Sequence, residues 1–344
     1  MAKKTKAVKL ADIAEALDVS IVTVSKALSD QSGVSEEMRA KIKALAKEMG
    51  YKPLSTLKKA KNENYSIGVI ISNRYIGGVE SFYWKVYQEV ISCTMTKGCF
   101  TLLEVIDSVM EKNGTVPRIV SENKADGLII IGKPGSHYAS EVLKKIKIPV
   151  VFLDFYESDV TADSVISDGF YGTYLMTNYL FDHGHRNICY VGTLYATESI
   201  TDRFMGFCKS LLEHGITPNE NHVINDRDEI TGVSKEPDDL VLPAVMPTAF
   251  VCNCDRTASL VANMAKNRGL RIPEDVSIVG YDNYLAPDFR DFEPTTYEVD
   301  IHEMARIAVN TLTRKISGEN YQRGLRIVEG HLVERDSVKT IPLD

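Results

Sequence analysis

Leu10-Ala-Asp-Ile-Ala-Glu-Ala-Leu-Asp-Val-Ser-Ile-Val-Thr-Val-Ser-Lys-Ala-Leu28 is the stretch from which the rest of the chain is read. Leu10, Ile13, Ala14 and Leu17 recur at helical spacing and form one apolar stripe. Asp18-Val19-Ser20 breaks that stripe, and Ser20 is a suitable N-cap for a second helix. Val24, Ala27 and Leu28 form the inward stripe of that helix. The small Ala14 lets the two helices cross closely.

The outward face of the second helix carries Ile21, Val22, Ser25, Lys26 and Ser29. Core packing has no use for two exposed β-branched apolar residues beside a lysine. A helix lying in a DNA major groove has one: apolar groups touch thymine methyls, Lys reaches guanine, hydroxyls hold phosphates. That is the helix-turn-helix arrangement, with the second helix as reader. An ordinary helical hairpin remains the alternative on these residues alone. Ser35 then caps a third helix with Glu36 and Glu37 in its first turn and Met38, Ile42, Leu45, Ala46 and Met49 facing inward, closed by Gly50.

Charge divides the chain the same way. Residues 1–61 hold thirteen Lys/Arg against seven Asp/Glu, a net +6, within a protein of 344 residues and net charge −7. The remainder is therefore at −13, a basic head on an acidic body, as expected of a nucleic-acid module joined to something else. The length suits two or three domains. No apolar run approaches a membrane span, and the start, Met-Ala-Lys-Lys-Thr-Lys, has no apolar stretch of a signal peptide behind it, so a cytoplasmic protein is expected. Cys93, Cys99, Cys189, Cys208, Cys252 and Cys254 read as reduced core thiols, and Cys252-Asn-Cys254 is too tight for a zinc half-site. No cofactor or metal is expected.

Beyond a basic linker at 54–64, β-rich runs alternate with amphipathic stretches. Strands are expected at 66–72, 101–106, 127–132 and 149–155, then, as a second series, at 164–168, 187–192, 249–255 and 276–282. Helices are expected near 80–97, 138–147, 169–183, 198–214 and 256–268. The tail reads as a strand (295–299), a helix (301–317) and a strand pair (325–338). Such alternation predicts α/β architecture with two doubly wound parallel-sheet lobes, whose ligands sit beyond the carboxyl ends of the strands.

Head and body together resemble the lactose-repressor (LacI/GalR) family of bacterial transcription regulators. The resemblance is carried by Leu10-Ala-Asp-Ile-Ala, Thr23-Val-Ser25, Met49-Gly-Tyr51-Lys-Pro53, Asp126-Gly-Leu-Ile, Pro149-Val-Val-Phe-Leu-Asp154, Gly184-His-Arg186, Arg203-Phe-Met-Gly-Phe207, Pro273-Glu-Asp-Val-Ser-Ile-Val-Gly-Tyr-Asp282 and Arg335-Asp-Ser-Val338. It implies a body like periplasmic sugar-binding proteins with crossings near Ser167, Glu298 and Glu329. The division is then 1–53 for the head, 54–64 for a hinge linker, 65–167 plus 299–328 for one lobe, and 168–298 plus 329–344 for the other. It implies a homodimer on a palindromic double-stranded operator, not an enzyme, with a small effector in the cleft. Base readers would be Ile21, Val22 and Lys26; Ser20, Thr23 and Ser25 would hold phosphates; and Ser29 with Lys58 and Lys59 of the linker would also contact DNA. The linker departs from the family: Ala60 stands where a wedge leucine opens a base step, so a weaker DNA bend is expected unless Leu57 substitutes from another face.

Effector candidates are Phe82, Tyr83 and Asp154 from one lobe, Arg203 and Asp282 from the other. An Arg and an Asp grip vicinal hydroxyls, and aromatic faces stack on sugar C–H faces. Phe82 also reads as core, Asp154 as a loop cap, and Trp84 as either cleft or packing. Cys254-Asp255 lacks the amide of the Asn-Asp common in relatives. The loop Ala196-Thr-Glu-Ser-Ile200 lacks the second arginine of the purine repressor, which favours a sugar. The resulting expectation is a repressor of a carbohydrate-utilisation operon. The alternative is a sugar- or purine-binding protein without regulatory DNA binding. Gly127-Leu-Ile-Ile-Ile-Gly-Lys133 mimics a phosphate loop, but Pro134 occupies the magnesium-holding Ser/Thr position.

Overall fold

A computed structural model describes residues 10–28, 33–49, 51, 64–76, 81–157, 160, 162–228, 234–284 and 292–342. The chain divides into two compact units, 1–63 and 64–344.

The first unit holds α1 (Leu10–Ala16), α2 (Ile21–Leu28) and α3 (Glu36–Glu48). The chain leaves α1 through Asp18 at φ +52°, and the Val19 amide returns to the Ala14 carbonyl at 3.0 Å. Ser20 Oγ accepts the Thr23 amide at 3.0 Å and so caps α2. Ile13, Ala14, Val24, Ala27, Ile42 and Ala46 are buried together, the residues that helical phase selects. Gly50, expected to close α3, lies outside the described residues.

In the second unit, β1 (Ser66–Ser72), β2 (Phe100–Ile106), β3 (Gly127–Ile131), β4 (Val150–Leu153), β5 (Asp163–Ser167) and β11 (Leu325–Val328) form a six-stranded sheet ordered β11-β5-β4-β3-β1-β2. All its pairings are parallel. The other sheet, ordered β12-β10-β9-β8-β6-β7, contains β6 (Ile188–Val191), β7 (Val223–Ile224), β8 (Ala249–Cys252), β9 (Ser277–Asp282), β10 (Thr295–Glu298) and β12 (His331–Val333). It is parallel except for β12, which runs against β10. Uniformly apolar strands such as Gly127–Ile131, buried at every position, are what a sheet covered on both faces requires.

Three expectations need correction. The strand at 163–167, placed at the head of the second series, pairs with β4 and β11 in the first sheet. The tail strands do not pair with each other: 325–328 closes the first sheet and 331–333 the second. Local pattern shows extended backbone but not its partner, and here the chain changes sheets between them. Gly330 makes that change possible. Its amide donates to the Tyr297 hydroxyl at 2.7 Å, and a Cβ there would collide with the Glu298 carbonyl. The helix expected at 138–147 is broken into Ser136–Glu141 and a 3-10 turn, Leu143–Lys145.

The chain passes from the first sheet to the second after Ser167, returns after Glu298, and leaves again after Val328. Ile301–Ser317 then packs on β3, β4 and β5. Gly184, at φ +87°, ends the helix Gly169–Asp182, and its amide meets the Phe181 carbonyl at 3.0 Å, the helix-ending role that its place in the sequence indicated. None of the six cysteines is in a disulfide, and four of them are buried.

Candidate nucleic-acid interface and effector cleft

Helix α2 has two unlike faces. Val24 and Ala27 are fully buried, whereas Ile21 and Val22 are 51% and 62% exposed. Ser20 and Ser25 are exposed; Thr23 and Lys26 are half-buried. Neither Ile21 nor Val22 is needed to fill the head's core. Ser29, Lys58, Lys59 and the linker positions Leu57 and Ala60 lie outside the described residues.

The five effector candidates come together in the body. Tyr83 stands in the first turn of the helix Phe82–Thr96, which Ser81 caps by accepting the Trp84 amide. Its hydroxyl donates to Asp154 Oδ2 at 2.9 Å. Asp154 follows β4 at φ +65°. Arg203 lies on the helix Glu198–Glu213, where Gly206 lets the neighbouring helix approach: a Cβ would strike the Phe170 carbonyl. Arg203 Nη2 donates to Asp282 Oδ1 at 3.2 Å, and Nη1 donates to the Asn253 carbonyl. Its guanidinium sits 3.7 Å above the Tyr281 ring. Arg203 Nε is buried without a protein partner.

The electrostatics follow from burial. Burial pushes the Asp282 carboxyl up to about 7; Arg203 opposes the shift and Asp154 adds to it. Burial likewise raises Asp154, against Arg203 and the Tyr83 hydrogen bond. Asp255 is pushed up to about 8, by burial and then by Asp282. Three carboxyls thus share one region with a single buried guanidinium, and each pays in ionisation for the water it has lost.

Several contacts join the two lobes across the cleft. Phe82 meets Tyr284 edge-on at 6.1 Å while also packing against the core. Lys133, just beyond β3, pairs with Glu198 of the opposite lobe and, at 3.2 Å, with Glu157. The Tyr156 hydroxyl lies 3.3 Å from both Asp202 oxygens. These residues escaped the sequence reading, although Lys133 and Asp154 follow adjacent strands and the strand-end rule applied to both. Trp84 packs against Tyr87, ring centroids 5.2 Å apart.

The amide absent at Cys254 is present one residue earlier, turned inward. Asn253 Nδ2 donates to the Val191 carbonyl, Asp226 Oδ2 and Thr257 Oγ1 at 2.9, 2.8 and 3.1 Å. Burial pushes the Asp226 carboxyl up, but the Arg227 guanidinium and these donors outweigh it and hold Asp226 well below the usual carboxylate range. This network ties together the ends of β6, β7 and β8.

Among the described residues no cluster of His, Cys, Asp or Glu is arranged to hold a metal, and no helix is long and apolar enough to cross a membrane. A small helical head with a reading face, and a two-sheet body whose charged side chains meet in a cleft, define a ligand-responsive DNA-binding regulator. Residues 9–54 match the bacterial regulatory proteins of the lacI family, and residues 177–338 match the periplasmic binding protein-like domain. The HTH-type transcriptional repressor PurR of Vibrio cholerae serotype O1 (strain M66-2) is 26% identical over 339 residues, 96% of this chain and 98% of that protein. The structure of the transcriptional regulator CelR–cellobiose complex aligns with TM-score 0.66 at 21% identity, covering 96% of this chain and 99% of that one. The lac repressor dimer bound to operator and the anti-inducer ONPF aligns with TM-score 0.64 at 22% identity, covering 97% and 100%. The chain belongs to the lacI family. It is a DNA-binding transcriptional repressor with an effector-binding domain, acts in the cytoplasm, and is not an enzyme.

Proposed function

We propose that this repressor controls a carbohydrate-utilisation operon and that a small, uncharged sugar occupies the cleft lined by Phe82, Tyr83, Asp154, Arg203 and Asp282. The observation carrying the reading is the opposition of Tyr83–Asp154 on one lobe to Arg203–Asp282 on the other. Two carboxyls and a guanidinium suit vicinal hydroxyls, and Phe82, Tyr83 and Tyr284 supply aromatic faces. The cellobiose held by the CelR regulator supports the same class. A purine is the second reading, favoured by the length over which the chain resembles the PurR repressors.

The lobes are taken as 65–167 plus 299–328 and 168–298 plus 329–344, joined through the linker 54–64 to the head 1–53. In the head, Ile21, Val22 and Lys26 read bases while Ser20, Thr23, Ser25, Ser29, Lys58 and Lys59 hold the backbone of a palindromic operator. A homodimer supplies the two heads. Supporting it, β2 is an edge strand of the first sheet with Phe100, Leu102 and Val105 exposed, and the nearby Met95 is 70% exposed. Proteins cover such edges.

Thermal shift of the full chain with cellobiose, other neutral mono- and disaccharides, and purine bases tests the effector class. A ligand at ~100 times its dissociation constant adds about 2.7 kcal/mol, a shift of several degrees. A sugar hit abolished by Arg203→Ala is expected; purine hits alone overturn the sugar class.

A further inference from the structure

Arg39 lies on α3 with its side chain only 11% exposed. Its Nη1 donates to the carbonyl oxygens of both Lys26 and Ala27, at 3.4 Å each. Its Nε sits 3.4 Å from Glu36 Oε1. Lys26 and Ala27 belong to the last turn of α2, where carbonyls have no partner within the helix and where the helix dipole favours a cation. At the other end, Ser20 Oγ accepts the Thr23 amide at 3.0 Å. The reading helix is thus gripped at both ends, from within the turn by Ser20 and from the next helix by Arg39. Lys26 is half-buried, its ammonium lies beside Gly33, and its own carbonyl is tied to α3.

We propose that Arg39 is a positioning residue for DNA reading, fixing the last turn of α2 so that Lys26 meets its base in one geometry. This rests on the reading of Lys26 as a base contact. A guanidinium suits the task because its fork of donors spans two carbonyls and a carboxylate together, which one ammonium does less well. Nine-tenths burial argues against Arg39 itself reaching a phosphate.

The test uses the full chain, the duplex that the wild-type chain selects from a randomised library, and an unrelated duplex of equal length. Arg39→Met is expected to weaken the selected duplex about tenfold and the unrelated one less than about twofold, since base readout but not phosphate contact is disturbed. The slope of log affinity against log salt stays unchanged, because no phosphate contact is lost. Arg39→Lys is expected to lose about threefold on the selected duplex, the charge being retained without the fork. In a Lys26→Ala background, Arg39→Met costs less than about twofold, because the two side chains act as one unit.

Equal weakening of both duplexes with the salt slope falling by about one makes Arg39 a phosphate contact and overturns the proposal. Strictly additive losses of Arg39→Met and Lys26→Ala overturn it as well, while leaving Lys26 as a reader. If Lys26→Ala leaves discrimination intact, the reading of Lys26 fails and the proposal with it. Should Arg39→Met melt the head at the assay temperature by circular dichroism, Arg39→Lys decides: a lowered ratio between the duplexes supports positioning, and an unchanged ratio overturns it.

Discussion

The reading helix and the effector cleft solve opposite problems. On α2, apolar side chains stand in water: Ile21 and Val22 are more than half exposed while Val24, two and three positions on, is fully buried. In the cleft, charges stand out of water: Arg203 is 5% and Asp154 7% exposed. The helix surface is cheap to change because exposed side chains hold up nothing. The cleft is expensive to change because each charge relies on its neighbours to replace lost hydration. The proposed DNA-reading surface and the proposed effector pocket are therefore built by contrary rules.

The sharpest way to break that contrast is Arg203→Ala. It strands Asp282 and Asp154 in a buried site, and removing one partner of a buried pair costs about 3–5 kcal/mol. Proton uptake by Asp282 softens the loss toward the lower value. Urea unfolding of the body is expected to show it, with sugar binding abolished; a loss under ~1 kcal/mol would mean that the pair is already solvated.

The contrast within α2 is smaller. Val24→Ala leaves a void in the head and should cost about 1–2 kcal/mol, seen as earlier melting of the head with the body unchanged. Ile21→Ala should leave stability within ~0.5 kcal/mol and weaken the selected operator. Equal melting of both variants would place Ile21 in the core.

A further test separates two buried titrations by sign. Asp282 is raised from the ordinary carboxyl range to about 7, so the folded state binds more protons than the unfolded between pH ~4 and 7, and stability falls as pH rises through that window. His185 is fully buried, with Nδ1 3.0 Å from Thr248 Oγ1 and Nε2 3.1 Å from the Lys339 carbonyl. Burial lowers it from 6.5 to about 4. The unfolded state then binds the extra proton, so His185 makes stability rise with pH between ~4 and 6.5. In urea midpoints measured from pH 4 to 8, Asp282→Asn should reduce the falling component, to which the raised Asp255 and Asp154 also contribute, and His185→Gln should reduce the rising one. The same change of slope in both variants would break the assignment.

Much of this was legible from local pattern. The head's core residues follow from periodicity, and the strands from β-rich runs between helices. Five effector candidates at the ends of strands and starts of helices proved to be neighbours. What escaped was pairing and direction: 163–167 and 325–328 share a sheet though some 160 residues part them, and Asn253 faces the lobe's interior rather than the position its neighbour Cys254 left without an amide. The bridge from Lys133 to Glu198 is likewise between segments with no common periodicity.

By itself the sequence determined what depends on neighbours along the chain: which face of α2 is apolar, where Ser20 starts it, where Gly184 stops a helix, and that strands alternate with helices. These are set within a few residues by side-chain phase and backbone sterics. Only the tertiary structure decided which strands pair, that Arg203 finds Asp282 and stacks on Tyr281, and that Asp154 faces them from the other lobe. Those outcomes turn on closing long loops and on exchanging water for particular partners, free energies that no short stretch of the chain contains.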